Sequence, residues 1–365
     1  MNKYLAIIGT AYPEMSGATN ITELFFKNAQ INGLNIMRFK YKVSFYKEKR
    51  NVSIFESKLS KLISFIKIYG NLILSLKKIN AAYIQENSGL GKLYDISFML
   101  LFIVLKKKCF YHNHGYKKIN KYDVFAKITQ IISVYGIKNI FQTELEANNF
   151  IRIYGPTSYT TISNSIFIKS PEKRIRKPLK NGYYKFGLIS NLNKAKGLDL
   201  FIEIAQNSLL ENNGWSFYLA GPILKKKDYY ADQIRKTKNI KYYGPIFELI
   251  EKENFYQNID FFIFLSTYKH ESESLVILES ISNGCIPIVY DQGQVATLTP
   301  DKKLIMPSGV KVYPLLKNLV KDIENENQFI SLSNDSINLF RKLKKTSQDN
   351  MSNLMIEIKK ILQEK

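Results

Sequence analysis

The chain has 365 residues, 45% of them hydrophobic and 23% charged, which is enough for two domains with substantial cores and too apolar for global disorder. Its two cysteines, Cys109 and Cys285, lie far apart in apolar stretches, which excludes a disulfide framework and a zinc ribbon and fits a reducing compartment. Lys and Arg outnumber Asp and Glu by 53 to 31, a net charge of +22, so an anionic partner stands against the plainer reading of lysine-rich solvated faces.

Tyr4–Gly9 reads as a first strand, too soon interrupted for a secretory leader, and a cytosolic protein is expected. Ile21–Ala29 reads as a helix stopped near Asn32-Gly33, and Asn35–Phe39 as the next strand. Leu59, Leu62, Ile63, Ile66 and Ile73 recur at helical spacing over Lys58–Lys77, with Gly70 placed to interrupt them. Strands at Ala82–Gln85 and Cys109–His112 flank a buried helix that includes Ile96–Leu105. That apolar run stops at Lys106-Lys107-Lys108, far short of the ~20 residues that cross a bilayer.

Ser170–Pro178, with two prolines and dense charge, reads as an exposed linker. Strands follow at Tyr184–Ile189, Trp215–Ala220, Ile240–Tyr243, Asp260–Leu265 and Ile286–Tyr290, with helices between most of them. This alternation predicts an α/β protein of two Rossmann-like domains with parallel sheets. Their expected spans are 1–170 and 171–340, with a last helix over 341–365 able to pack back on the first. Residues 1–170 hold 24 Lys+Arg against 9 Asp+Glu, whereas residues 171–365 hold 29 against 22, so the excess charge sits mainly in the first domain.

The most informative stretch runs from Phe261 to Tyr290 as strand, polar loop, helix, glycine stop and strand. Ser272 or Ser274 can cap the helix, and Gly284 suits the left-handed position behind it. Backbone N–H groups near Ser274 and Leu275 would face a phosphate, helped by the helix dipole. Glu271 falls in the loop and Glu279 nearly two turns into the helix. Taken singly, Glu271, Glu273 and Glu279 are ordinary loop and helix-surface charges.

Glu271, Glu279, Gly284 and Pro287 in this spacing resemble the signature of retaining family 4 glycosyltransferases of the GT-B fold, in which two Rossmann-like domains face a central cleft. The resemblance implies that Glu271 contacts the donor sugar and Glu279 the nucleotide ribose. Gly187–Asp199 is similar to the turn that opens that family's second domain. There Lys196 is retained as a diphosphate ligand, and Asn191 stands where the family usually has Arg. Phe217–Pro222 resembles a glycine-ended strand, and Tyr243-Gly244-Pro245-Ile246 the segment whose backbone reads the base. Ser16-Gly17-Ala18-Thr19 stands where the family often has a Gly-Gly pair facing the donor, which makes Gly17 a donor-binding candidate.

Only three histidines occur, His112, His114 and His270. Tyr111–Gly115 resembles the family's His-Gly at a strand end, implying that His114 faces the donor sugar across the cleft, with His112 its neighbour and His270 beside Glu271. A His-x-His metal pair is the alternative, but no Cys or carboxylate cluster joins it, and no Asp-x-Asp occurs, so no metal or other cofactor is expected. The resemblance implies transfer of a sugar from a nucleoside diphosphate sugar to a glycan or a polyprenyl-diphosphate-linked acceptor, as in capsule, O-antigen or exopolysaccharide assembly. The basic first domain would then meet an anionic inner-membrane surface through residues such as Lys58, Lys61, Lys67, Lys77, Lys78 and Lys106–Lys108. Such docking would be electrostatic, since no amphipathic segment reads as apolar enough to anchor alone. A nucleic-acid-binding protein remains the alternative from charge, although no helix-turn-helix, RNP motif or zinc finger is present. A nucleotide-sugar epimerase, a phosphorylase or a non-catalytic relative stays open as well.

Overall fold

The computed structural model describes residues 3–10, 17–41, 54–169, 182–323 and 325–364. Ser16 and the proposed linker Ser170–Pro178 lie outside the described residues. The chain divides into two compact units, Met1–Ser163 with Thr346–Lys365, and Asn164–Lys345.

The first unit begins with β1 (Tyr4–Thr10), α1 (Gly17–Ile31), β2 (Ile36–Tyr41) and α2 (Ile54–Ser75). It continues with β3 (Ile79–Gln85), α3 (Lys92–Val104), β4 (Lys108–His112), α4 (Lys117–Asn120), α5 (Val124–Ser133), β5 (Ile137–Phe141), α6 (Glu144–Tyr154) and β6 (Tyr159–Thr161). Its six strands pair in parallel in the order β2-β1-β3-β4-β5-β6. Leu5–Gly9 and Ala81–Gln85 are buried at every position, as expected of parallel strands covered on both faces.

The second unit comprises β7 (Lys185–Ile189), α7 (Leu198–Leu210), β8 (Ser216–Ala220), α8 (Lys227–Lys236), β9 (Ile240–Tyr242) and α9 (Leu249–Gln257). After them come β10 (Phe261–Phe264), α10 (Leu275–Ser282), β11 (Ile286–Tyr290), β12 (Ile305–Met306), α11 (Val312–Ile323) and α12 (Glu326–Gln363). Its sheet is also parallel, in the order β12-β11-β10-β7-β8-β9. Both strand orders reverse direction once, at β1/β3 and at β7/β10. Open parallel sheets bind ligands outside the carboxyl ends of strands at such a point.

Three expectations change. The boundary placed at 170/171 falls at 163/164, because Asn164 bonds into the second unit through Glu273. The last helix begins at Glu326 rather than 341, and its residues from Thr346 belong to the first unit. They are tied there by Ser347 Oγ accepting from Ser163 N and by Lys138 pairing with Glu357. Strands β5, β6 and β12 were not legible: the first carries Lys138 and Asn139 at its centre, and the others span three and two residues.

The helix expected from Leu59 to Ile73 exists and passes through Gly70 unbroken. Those five apolar residues, however, face away from the core. A second stripe, Phe65, Ile68, Tyr69 and Leu72, packs against the sheet and α3. The Ile96–Leu105 run is similarly two-sided, with Phe98, Met99 and Phe102 buried and Leu100 and Val104 exposed.

Phe186, fully buried on β7, packs 4.8 Å from Trp215 and 5.2 Å from each of Phe217 and Phe261. Phe186→Ala should cost the second unit about 3–5 kcal/mol through the cavity it leaves. Urea denaturation followed by fluorescence of Trp215, the only tryptophan, reads that loss directly.

Candidate active site

In the second unit, the loops after β7 and β10 are laced together at the reversal point. Ser266 Oγ and Thr267 N both donate to Ala195 O, at 3.1 and 2.9 Å. Asn193 Oδ1 accepts from Lys196 N, and Gly197 follows at φ +83°, where an added Cβ would lie 2.7 Å from Leu265 O. Only glycine tolerates both demands. The tight turn delivers Lys196 Nζ to Glu271 Oε2 at 2.5 Å, with Ser266 Oγ at 3.4 Å from the same oxygen.

Glu271 is fixed from its backbone as well. Its N–H donates to Tyr268 O and its carbonyl accepts from Gln294 N. Gly293, at φ +60°, lies so close that an added Cβ would fall 2.0 Å from Glu271 O. The Lys196 ammonium also lies 5.2 Å from the Tyr268 ring and 5.4 Å from Phe264. The lysine side chain is 22% exposed and the carboxylate side chain 11%, so both border solvent.

Helix α10 starts directly behind this loop. Ser274 is its N-cap residue, and the serine side chain makes no capping hydrogen bond, contrary to the expected cap. Its first-turn N–H groups thus have no side-chain cap from that residue. Gly284 takes the expected left-handed conformation after the helix, at φ +72°. Glu279, on the second turn, accepts from Tyr256 OH at 2.8 Å and pairs with Lys252 at 3.1 Å. Glu273, read singly as a surface charge, is instead buried. Its carboxylate accepts from Asn164 N and its carbonyl from Asn164 Nδ2, which makes it a structural anchor.

The other second-unit candidates are less closely joined to this pair. Asn191 is exposed, and its carbonyl accepts from Asn193 Nδ2. Leu275 is the first residue of α10. His270 is half-buried, edge-on to Tyr268, and its Nδ1 finds no hydrogen-bond partner among the described residues. Ile246 lies after the edge strand β9, two strands from β7, partly packed on the core.

The first unit has its own site at the carboxyl ends of β1, β3 and β4. Thr10, Gln85, Glu86, Lys92, His114 and Lys118 line a cavity of about 590 Å³. Gly17 opens α1, shortly after β1. His112 ends β4, buried, with Nδ1 2.7 Å from Tyr83 OH. Burial, with His114 and Lys118 nearby, holds its pKa well below the ordinary histidine value. The His114 ring lies 4.3 Å from it. Burial lowers His114 to about 4, assisted by Lys118 and opposed by Glu86, so its imidazole is neutral near pH 7. Among the described residues, no group of three or more His, Cys, Asp or Glu is placed to hold a metal ion.

Glu86, which no motif marked, organises this site. It accepts from His114 N at 2.7 Å and Gly115 N at 3.1 Å, and it pairs with Lys118 and Lys92 at 2.9 and 3.2 Å. Burial alone would raise its pKa, but the two lysines and the His114 N–H outweigh burial and hold it at about 2. Beneath it, buried Asp95 accepts from Asn87 N and Nδ2 and from Tyr111 OH; burial pushes Asp95 up to about 7. The available signal was a carboxylate directly after a buried strand, at Gln85-Glu86.

Residues 169–327 match the model of the family Glycosyl transferases group 1. None of the curated proteins matches the sequence. Among solved structures, a glycosyltransferase from Rickettsia africae is similar over 100% of both chains, at 14% identity and a TM-score of 0.68. Sucrose-phosphate synthase from Thermosynechococcus elongatus is similar over 98% of this chain and 99% of its own, at 11% identity and 0.69. Anabaena HepE in complex with UDP is similar over 96% and 99%, at 12% identity and 0.64. The two parallel six-stranded sheets thus have the GT-B fold, and the match to the group 1 glycosyltransferase model falls almost wholly within the second unit.

Two outcomes follow for the first-unit site. With only three histidines, proton NMR should resolve His114 titrating near pH 4, and Glu86→Gln should lower that midpoint by removing a neighbouring negative charge. Glu86 is held at about 2 against an ordinary 4.5, so it contributes stability above pH 4.5 that is lost as pH falls towards 2. Glu86→Gln, which leaves Lys118 buried without its closest carboxylate, should cost about 3–5 kcal/mol at neutral pH in thermal or urea unfolding.

Proposed function

We propose that the protein is a retaining glycosyltransferase that moves a sugar from a nucleoside diphosphate sugar, bound by the second unit, to an acceptor bound by the first. The observation that carries the reading is the Lys196–Glu271 pair beside the start of α10. A cation and first-turn N–H groups suit a diphosphate, and the adjacent carboxylate suits the hydroxyls of the sugar attached to it. Glu279, aimed by Tyr256 and Lys252, would accept from the ribose hydroxyls, with Ile246 near the base. UDP and UDP-glucose, bound by the Anabaena relative, are the first donors to test.

Transfer breaks the bond between the anomeric carbon and the diphosphate oxygen while the acceptor oxygen attacks the same face. The acceptor proton passes to the departing diphosphate oxygen. Lys196 and α10 stabilise the charge that develops on the leaving group, so donor binding needs no metal. Glu271 positions the sugar, and Asn191 leaves Lys196 without the second cation that the family resemblance would supply. In the first unit, His114 is a neutral hydrogen-bond partner for a sugar hydroxyl. The lysine-bordered cavity around it suits a glycan or a polyprenyl-diphosphate-linked acceptor of cell-surface polysaccharide synthesis.

Glu271→Gln should abolish transfer while the protein stays folded, because the side chain is not part of the core; full activity in the folded variant would reject the assignment. Glu279→Ala should weaken UDP binding by about 1.5–3 kcal/mol, the worth of a hydrogen bond to a charged group, in calorimetric titration. The configuration of the product's anomeric carbon, read by NMR, tests retention.

A further inference from the structure

The outward face of α2 is assigned no part in donor or acceptor chemistry, yet it exposes a run of large apolar side chains. Ile66 is 61% exposed and Leu74 85%, while Leu59, Leu62, Ile63 and Ile73 lie between 41% and 49%. All six are exposed on a broad outer face of the helix, whereas Ile68 and Leu72 pack on the sheet. A helix exposed to water ordinarily presents a polar face there. Cations border this one: Lys67, Lys77 and Lys78 are exposed. Residues 57–85 hold five lysines and no Asp or Glu. Just beyond α3, Lys106 and Lys108 are exposed too. Lys107 is not available, because its ammonium is bonded to the carbonyls of Leu76 and Ile79.

We propose that α2 is an interfacial helix that lies in the surface of an anionic lipid bilayer, its Leu/Ile face among the upper acyl chains and its lysines among the headgroups. An apolar face flanked by lysines is the pattern such helices show. Among the described residues no helix is long and apolar enough to cross a membrane, so α2 rests along the surface. Its 22 residues reach ~33 Å along that plane. A second copy of the chain would bring like charges together, and a nucleic acid offers nothing apolar to six Leu/Ile side chains. An anionic bilayer satisfies both features. Docking is therefore not purely electrostatic, as the sequence alone suggested; apolar insertion adds a component that salt does not screen. The proposal stands independently of the transfer chemistry.

The test is sedimentation of the full chain with vesicles of phosphatidylglycerol or of phosphatidylcholine. Wild type should sediment with phosphatidylglycerol at ~0.15 M salt and retain part of that binding at ~1 M, where the Debye length is only ~3 Å. The double substitution Ile66→Asp with Leu74→Asp should lower the bound fraction about tenfold. Leu210→Asp, at an equally exposed apolar position of the second unit, should leave binding unchanged. Gly70 lies on the same face, exposed and with open space where a Cβ would go, so Gly70→Leu should strengthen the salt-resistant part. Because both native cysteines are buried, an Ile66→Cys protein can carry an environment-sensitive dye, whose emission should shift to the blue on phosphatidylglycerol. Absence of wild-type binding, or equal binding by the double Asp variant, overturns the proposal. So does light scattering that shows a dimer which the same substitutions dissolve.

Discussion

The arrangement of the second unit depends on β7 and β10 being neighbours. After β9 the chain returns past β7 and lays β10 on its other side, which brings Lys196 against Glu271 across 75 residues. Neither group would sit half-buried at a strand end alone, since burial penalises an unpaired charge. The pair is held by backbone approaches that leave no room for a side chain, at Gly197 against Leu265 and at Gly293 against Glu271. A ligand bound there, as proposed, would meet a carboxylate and a cation already oriented, at little ordering cost.

The first unit applies the same topology to a different end. Its order also reverses beside β1, and a carboxylate again follows the strand at that point, Glu86 after β3. Glu86, however, is met by two lysines and two backbone N–H groups. A carboxylate so fully engaged is a fixture that shapes the turn carrying His114 and Gly115. Glu271 has fewer protein partners and more solvent access. The comparison separates a carboxylate that holds the backbone from one with fewer protein partners, the one proposed to hold the donor sugar.

Charge and hydrophobicity are also distributed with a direction. Exposed lysines of the first unit border a helix that is apolar on both sides, one side packed on the sheet and one exposed among the described residues. Lys107 shows why composition alone overstates such a surface, for its ammonium closes the carbonyls at the end of α2 and the start of β3. Lysines that read alike in sequence thus divide into structural and free ones.

Buried apolar runs such as Leu5–Gly9 and Phe261–Leu265 determine strands by themselves, because continuous burial needs no partner to be recognised. The strand–loop–helix around Glu271 and the glycine after α10 were legible for the same local reason: the chemistry of a turn resides in a few adjacent residues. Which carboxylate does what was not legible. Glu271, Glu273 and Glu279 read alike, and only tertiary structure made the first a lysine partner, the second a buried anchor for Asn164 and the third a partner of Tyr256. Glu86 had no motif, since its partners come from α3, α4 and the loop after β4. The two stripes of α2 share one helical period, so spacing cannot say which faces the sheet. Burial is a property of the neighbours, and the neighbours are set by strand order.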